Sequence, residues 1–195
     1  MLTEELDTIW AREIGVAPPI PPSLKFLCRN RWVRFHSLPD SKRYPESPAE
    51  VEEVLRRHNV VLERLGGSSP RVFLVTAAYS ESPTPVERKP PLDLLDPAAL
   101  PWRLLPMHEI EDDPDNPLYW HLFASERSWR PGIFDALLRL VADDVVANVM
   151  LVFDGIGAIY HPYDGGADVI MPTERSRDEL EAGLIDWCSD REDGM

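Results

Sequence analysis

The chain has 195 residues, 44% of them hydrophobic and 28% charged, a balance that excludes a disordered or coiled-coil protein and favours one core. No apolar run approaches the roughly 20 residues of a membrane helix, and the N-terminal stretch Met1 to Gly15 has no basic n-region or small-residue cleavage site, so a cytoplasmic protein is expected. Twenty bases against 34 acids give a charge of −14, which argues against direct nucleic-acid binding, where Lys and Arg must neutralise phosphates.

The first predicted element is a helix capped by Thr3, with Leu6, Ile9, Trp10 and Ile14 on one face and Gly15 as its stop. Pro18 to Pro22 is too proline-dense for helix or central strand and should run extended, so residues 1–31 read as an N-terminal helix and a proline-rich arm. Cys28 lies among Lys25, Arg29 and Arg31, cations that can lower a thiol pKa, although a buried small hydrophobe is the plainer reading. Cys188 is distant and no C-x-x-C pair exists, so neither a disulfide framework nor a cysteine metal site is indicated.

Trp32 to His36 alternates as a strand, with Trp32, Arg34 and His36 on one side and Val33 and Phe35 on the other. A polar loop follows, then Ser47-Pro48-Ala49-Glu50, a capping box with proline at the first helical position. Val51, Val54, Leu55, His58, Val61, Leu62 and Leu65 make the apolar stripe of that helix, Gly66-Gly67 ends it, and His58 reads as a satisfied core residue. Arg71 to Tyr79 suits a central strand. Residues 80–105 carry six prolines and are expected to form a long surface excursion. Five acids fall within Glu109 to Asp115. Beyond them are predicted a strand from Tyr119 to Ser125 and a helix opening at Arg130-Pro131-Gly132. Strands at Ala147–Phe153, Ala158–Tyr163 and Ala167–Met171 follow, with Pro162 at an edge or a bulge. A last helix begins near Thr173 or Ser176, with Leu180, Leu184, Ile185, Trp187 and Cys188 turned inward. This order predicts a single α+β domain over 1–195, a mainly antiparallel sheet of about five strands with helices packed on it.

Two polar motifs bear on chemistry. In the first, the strand and loop from Arg34 to Pro45 present Arg34, His36, Lys42, Arg43 and Tyr44 as candidates for binding a phosphate or carboxylate. The opposing reading is that these bases pair with the protein's own acids, such as Glu109 to Asp115. In the second, Tyr160 to Asp168, the residues His161, Asp164 and Asp168 are ligand types for a divalent metal, with His121 or His36 able to complete a set. Asp164-Gly165-Gly166 is equally what a tight hairpin turn requires, with glycine at positive φ and aspartate bonding nearby backbone. The sequence implies no cofactor and does not indicate an oligomeric state.

Three stretches carry a family likeness: Arg34-Phe35-His36-Ser37-Leu38-Pro39-x-Ser41-Lys42-Arg43-Tyr44-Pro45, Val141 to Val149, and Tyr160-His161-Pro162-Tyr163-Asp164-Gly165-Gly166-Ala167-Asp168-Val169. Together they resemble a bacterial family catalogued as a domain of unknown function. The likeness covers most of Trp32 to Trp187 and leaves Met1 to Arg31 and the proline-rich excursion outside. It implies a bacterial cytoplasmic origin and supplies no catalytic residues.

Two functional expectations follow. Between Lys25 and Arg43 stand six bases and one acid, a local +5 that leaves −19 for the rest of the chain. Such an acidic body suits a non-enzymatic binding or inhibitory protein, immunity- or antitoxin-like, whose partner is a basic protein. The alternative is an enzyme acting on an anionic small molecule, with Arg34, His36, Lys42 and Arg43 on the anion and His161, Asp164 and Asp168 as metal ligands or acid/base groups. The alternative requires the two motifs to converge in one cleft.

Overall fold

The computed structural model describes residues 1–67 and 71–189, and the elements run in this order. Helix α1 (Leu2–Glu13) and the short α2 (Leu24–Leu27) precede β1 (Trp32–His36), and α3 (Pro48–Gly66) leads to β2 (Arg71–Ser80). Next come α4 (Leu92–Leu95), β3 (Leu100–Pro106), α5 (Met107–Ile110), β4 (Tyr119–Ser128) and α6 (Asp135–Ala142). The strands β5 (Met150–Phe153), β6 (Ala158–Tyr163) and β7 (Gly166–Ile170) precede α7 (Glu174–Ala182). All seven strands join one sheet in the order β1-β7-β6-β5-β2-β4-β3, and every neighbouring pair is antiparallel.

Strand alternation sorts the core into two layers. Val33, Phe35, Tyr160, Val169, Leu151 and Leu74 point to one face, where α3 and α6 bring Leu62, Leu65, Leu138 and Val141 and α7 brings Leu180. Ile159, Ile170, Val152, Phe73, Val75 and Leu122 point to the other, covered by Leu6, Ile9 and Trp10 of α1 and by Leu24 of α2. Helix α3 starts at the predicted Ser47 cap, whose hydroxyl accepts from Glu50 N at 3.3 Å, but the Glu50 side chain reaches back to Glu46 N at 2.6 Å, one residue before the cap that the predicted box would use. His58 on its inner face bonds the Tyr160 hydroxyl and is a satisfied core histidine. No helix among the described residues is long and apolar enough to cross a membrane.

The structure corrects the predicted architecture in several places. The sheet has seven strands, not about five, and β3 starts inside the proline-rich excursion and ends one residue past it. Its Pro101 and Pro106 are tolerated because β3 is an edge strand, paired with β4 alone, so a missing backbone donor breaks no second ladder. The rest of the excursion is largely exposed and is pinned to the sheet at Arg88 and Asp96. Asp96, 1% exposed, accepts from Ser125 Oγ at 2.8 Å and from Arg127, while Arg88 bonds the carbonyls of Leu92 and Asp96 and the Thr76 hydroxyl. Helix α1 begins at Leu2 with Met1 as its cap, two residues before the predicted Thr3 cap, and the Met1 amine lies 2.8 Å from Glu4. Ile185 points outward at 60% exposure because it follows the end of α7 in a separate turn.

Pro162 was expected at an edge or a bulge, yet β6 is flanked by β5 and β7. The pairing of β5 with β6 stops at Tyr160, two residues short of Pro162, so no ladder bond is lost on that side. None of Asp164, Gly165 and Gly166 has φ in the left-handed region. Gly166 is required for a different reason: a Cβ there would lie 2.0 Å from the Phe35 carbonyl oxygen of β1. The glycine lets β1 close onto β7.

Candidate ligand cleft

The register of three strands builds one polar surface. Arg34 of β1 stands opposite Asp168 of β7, and Asp168 stands opposite His161 of β6. Two pairs further on, His36, Gly166 and Tyr163 share a second row. Both rows lie on the α1 and α2 side of the sheet, where the apolar core gives way to a cleft of about 450 Å³. Lys25 and Pro22 wall it from the N-terminal arm, Ser41 and Arg43 from the loop after β1, and Asp164 and Gly165 from the turn between β6 and β7. Asp40 and Ser41 are both left-handed, with φ 55° and 57°, and this tight reversal carries Ser41 and Arg43 back over the cleft.

The floor is fixed. Arg34 makes a two-pronged pair with Asp168, Nε to Oδ1 at 2.7 Å and Nη2 to Oδ2 at 2.9 Å, and its guanidinium lies 4.9 Å from the Tyr163 ring centre and 5.4 Å from that of Trp32. His161 is buried, and its Nδ1 lies 2.9 Å from the Val149 carbonyl oxygen. Burial lowers its pKa, partly offset by that hydrogen bond and by Asp168. His36 is lowered as well, first by burial and then by the charges of Arg34 and Arg57. Tyr163 is held above the ordinary phenol range, chiefly by burial.

The rim is more open. Arg43 Nε donates to Asp164 Oδ2 at 2.6 Å, and the Tyr44 hydroxyl donates to the same oxygen at 2.8 Å. Asp164 is buried, whereas the Arg43 side chain is 65% exposed. Lys25 makes no ion pair with any described residue. The cleft therefore holds three cations, Lys25, Arg34 and Arg43, and two carboxylates, Asp164 and Asp168, a net +1 in a chain of −14.

The structure brings Arg34, His36, Arg43, His161, Asp164 and Asp168 to this one cleft, with Tyr44 at its edge. Lys42 turns away, its ammonium 2.6 Å from Glu50 and 3.1 Å from Glu46. Internal pairing of the bases does occur, but with Asp164, Asp168, Glu46 and Glu50 and not with Glu109 to Asp115. No group of three His, Cys, Asp or Glu among the described residues is placed to hold a metal ion. Arg34 occupies both oxygens of Asp168, and His121 lies on β4, three strands away from β6. Lys25, Ser41 and Tyr163 are cleft residues that site prediction missed. Lys25 stood out only as part of the basic segment, because a four-residue helix carries no periodic signal to place it. A second cleft of about 360 Å³, between Tyr79, Pro91 and Val145, contains none of the predicted residues.

Residues 20–192 match the family described as Domain of unknown function (DUF3885). The chain belongs to this family. The DUF3885 match takes in Lys25 and the whole excursion, both outside the motif resemblance, so every cleft residue falls within the family's span while α1 lies before it. No curated protein and no solved structure gives a significant match to the chain.

Proposed function

We propose that this protein binds a small anionic molecule, a phosphate or carboxylate, in the cleft over β1, β7 and β6. The observation that carries the reading is the convergence of the two motifs, distant in sequence, on one net-positive cleft of ligand size within a strongly acidic chain. Arg34 and Asp168 form the fixed floor. Lys25 and Arg43 supply the anion-binding charge, since Lys25 has no ion pair with a described residue and Arg43 engages Asp164 through Nε alone, leaving its two Nη groups for a ligand. His36, Ser41 and Tyr163 line the remaining wall. This reading puts the small-molecule alternative ahead of the inhibitory one and carries no metal.

The test is calorimetric titration and thermal melting with inorganic phosphate and with citrate. At about 100 times Kd a ligand stabilises by about 2.7 kcal/mol, equivalent to a rise of roughly 5–11 °C for a chain of this size. Lys25→Ala and Arg43→Gln should each weaken binding about tenfold. Absence of any shift with either anion, or an unchanged shift in both variants, would overturn the reading.

One observation favours a second reading. All seven residues from Glu109 to Asp115 are exposed, and among them only Glu109 has an ion-pair partner, His108 at 3.6 Å, among the described residues. This is the surface that a basic protein partner would cover, in the manner of an immunity or antitoxin protein. Titration against basic proteins encoded beside it, at low and high salt, is the discriminating measurement. No salt-sensitive complex would remove its support.

A further inference from the structure

The cleft offers acceptors as well as cations. His161 Nδ1 donates to the Val149 carbonyl, which can only accept, so the ring proton sits on Nδ1 and Nε2 carries the lone pair. Nε2 has no hydrogen bond to a described residue and is not among the fully buried unpartnered polar atoms, so it opens on the cleft that His161 lines. Asp164 is similar: Oδ2 takes both Arg43 and Tyr44, while Oδ1 has no described partner and is not sealed off. Lys25 and His161 line the same cleft, so cation and acceptor face one ligand.

The character of these acceptors decides what they receive. Burial keeps His161 in its neutral form, and the charge of Asp164 is already matched by Arg43. An ammonium group would enter a cleft of net +1 with no unmatched carboxylate to meet it. A hydroxyl is neutral, donates one proton and suits a neutral imidazole nitrogen.

We infer that the ligand of this cleft is a hydroxylated anion, a small phosphate or carboxylate bearing hydroxyl groups. Its anionic end meets Lys25 and Arg43, and a hydroxyl donates to His161 Nε2. A second hydroxyl has Asp164 Oδ1 as its acceptor. The inference rests on the anion-binding reading above and narrows its ligand class.

Two matched pairs of probes test it on the intact wild-type chain: glycerol 3-phosphate against n-propyl phosphate, and lactate against propionate. Calorimetry should show the hydroxylated member of at least one pair binding about tenfold tighter, the size of one well-made hydrogen bond. The pair that shows it identifies the anionic end as phosphate or carboxylate. In parallel, the ¹⁵N resonance of His161 Nε2 should move upfield with the hydroxylated probe alone. Equal affinities within both pairs, with binding weakened by Lys25→Ala, would overturn the hydroxyl inference and leave anion binding standing. A tenfold preference without movement of the His161 resonance would overturn the assignment to His161. Binding of none of the four probes by a chain that does respond to phosphate or citrate would overturn the hydroxyl inference alone; no response to any of the six would overturn both readings.

Discussion

Gly166→Ala is the most direct probe of how the cleft is held. The added Cβ would lie 2.0 Å from the Phe35 carbonyl oxygen, 3.0 Å from its carbonyl carbon and 3.2 Å from the His36 Cα, all backbone atoms that no rotamer change can clear. Strand β1 must therefore back away from β7 by about 1 Å or more, loosening the Phe35–Ala167 and His36–Gly166 pairs and the 3.1 Å bond from Ser37 N to Gly165 O. Overpacking of this kind costs about 3 kcal/mol, the upper end for an unyielding neighbour. At roughly 2–4 °C per kcal/mol for a chain of this size, the melting temperature should fall by about 6–12 °C. Gly165→Ala is the control: its Cβ meets an edge carbon of the Tyr163 ring at 3.2 Å, a side chain that can give, and should cost less than about 1 kcal/mol. Thermal melts of the three proteins, followed by circular dichroism, decide the matter. A Gly166→Ala protein that melts within about 2 °C of wild type, or no lower than Gly165→Ala, would refute the argument.

Stability should also fall as pH drops from about 6.5 to about 4, because burial holds His58 at about 4 in the folded chain while the unfolded chain takes up its proton near 6.5. The contribution is complete above the upper value and amounts to roughly 3 kcal/mol, so urea midpoints should decline through this window and decline less in His58→Gln. What slope remains belongs to His36 and His161, lowered in the same sense, and parallel profiles for wild type and variant would contradict the assignment. Glu53, drawn down to about 2 chiefly by Arg56, acts in a separate and more acidic window, its stabilisation being lost as pH falls below about 4.5. Asp96→Ala removes a buried carboxylate that receives Ser125 and Arg127 and should cost about 3–5 kcal/mol. With that anchor gone, trypsin should cut after Arg88 much faster than in wild type, as read by mass spectrometry; an unchanged rate would mean that the excursion is held by other contacts.

The parts of the fold written in local pattern were legible from the sequence, and the parts that depend on distant pairing were not. Ser47, Pro48 and Glu50 mark the start of α3 because a cap is a contact between neighbours. Alternation likewise put Arg34 and His36 on one side of β1, which is how the structure uses them. No local signal could show that Arg34 meets Asp168, since that follows from the register of β1 on β7 across 134 positions. Strand β3 stayed hidden because its prolines argue against a strand in general, and only its place at the edge of the sheet makes them harmless. The glycines after Asp164 were expected to serve a turn, and the clash that makes Gly166 necessary comes from a strand that closes the sheet from the far end of the chain.

The pairing of β1 with β7 alone also sets the order in which this protein acquires its cleft during synthesis. At roughly 5–20 residues per second, Asp168 leaves the ribosome about 7–27 s after Arg34, and until then β1 has no strand to join. The hairpin of β6 and β7 forms from neighbouring sequence, so closure of β1 onto it is the late, long-range step. A nascent chain stopped before β7 can bury much of α3 and β2 against one another but has no cleft at all. The cleft thereby exists only once the last strand of the sheet is in place, and an anion that binds it as proposed would select molecules in which the first strand has found the last.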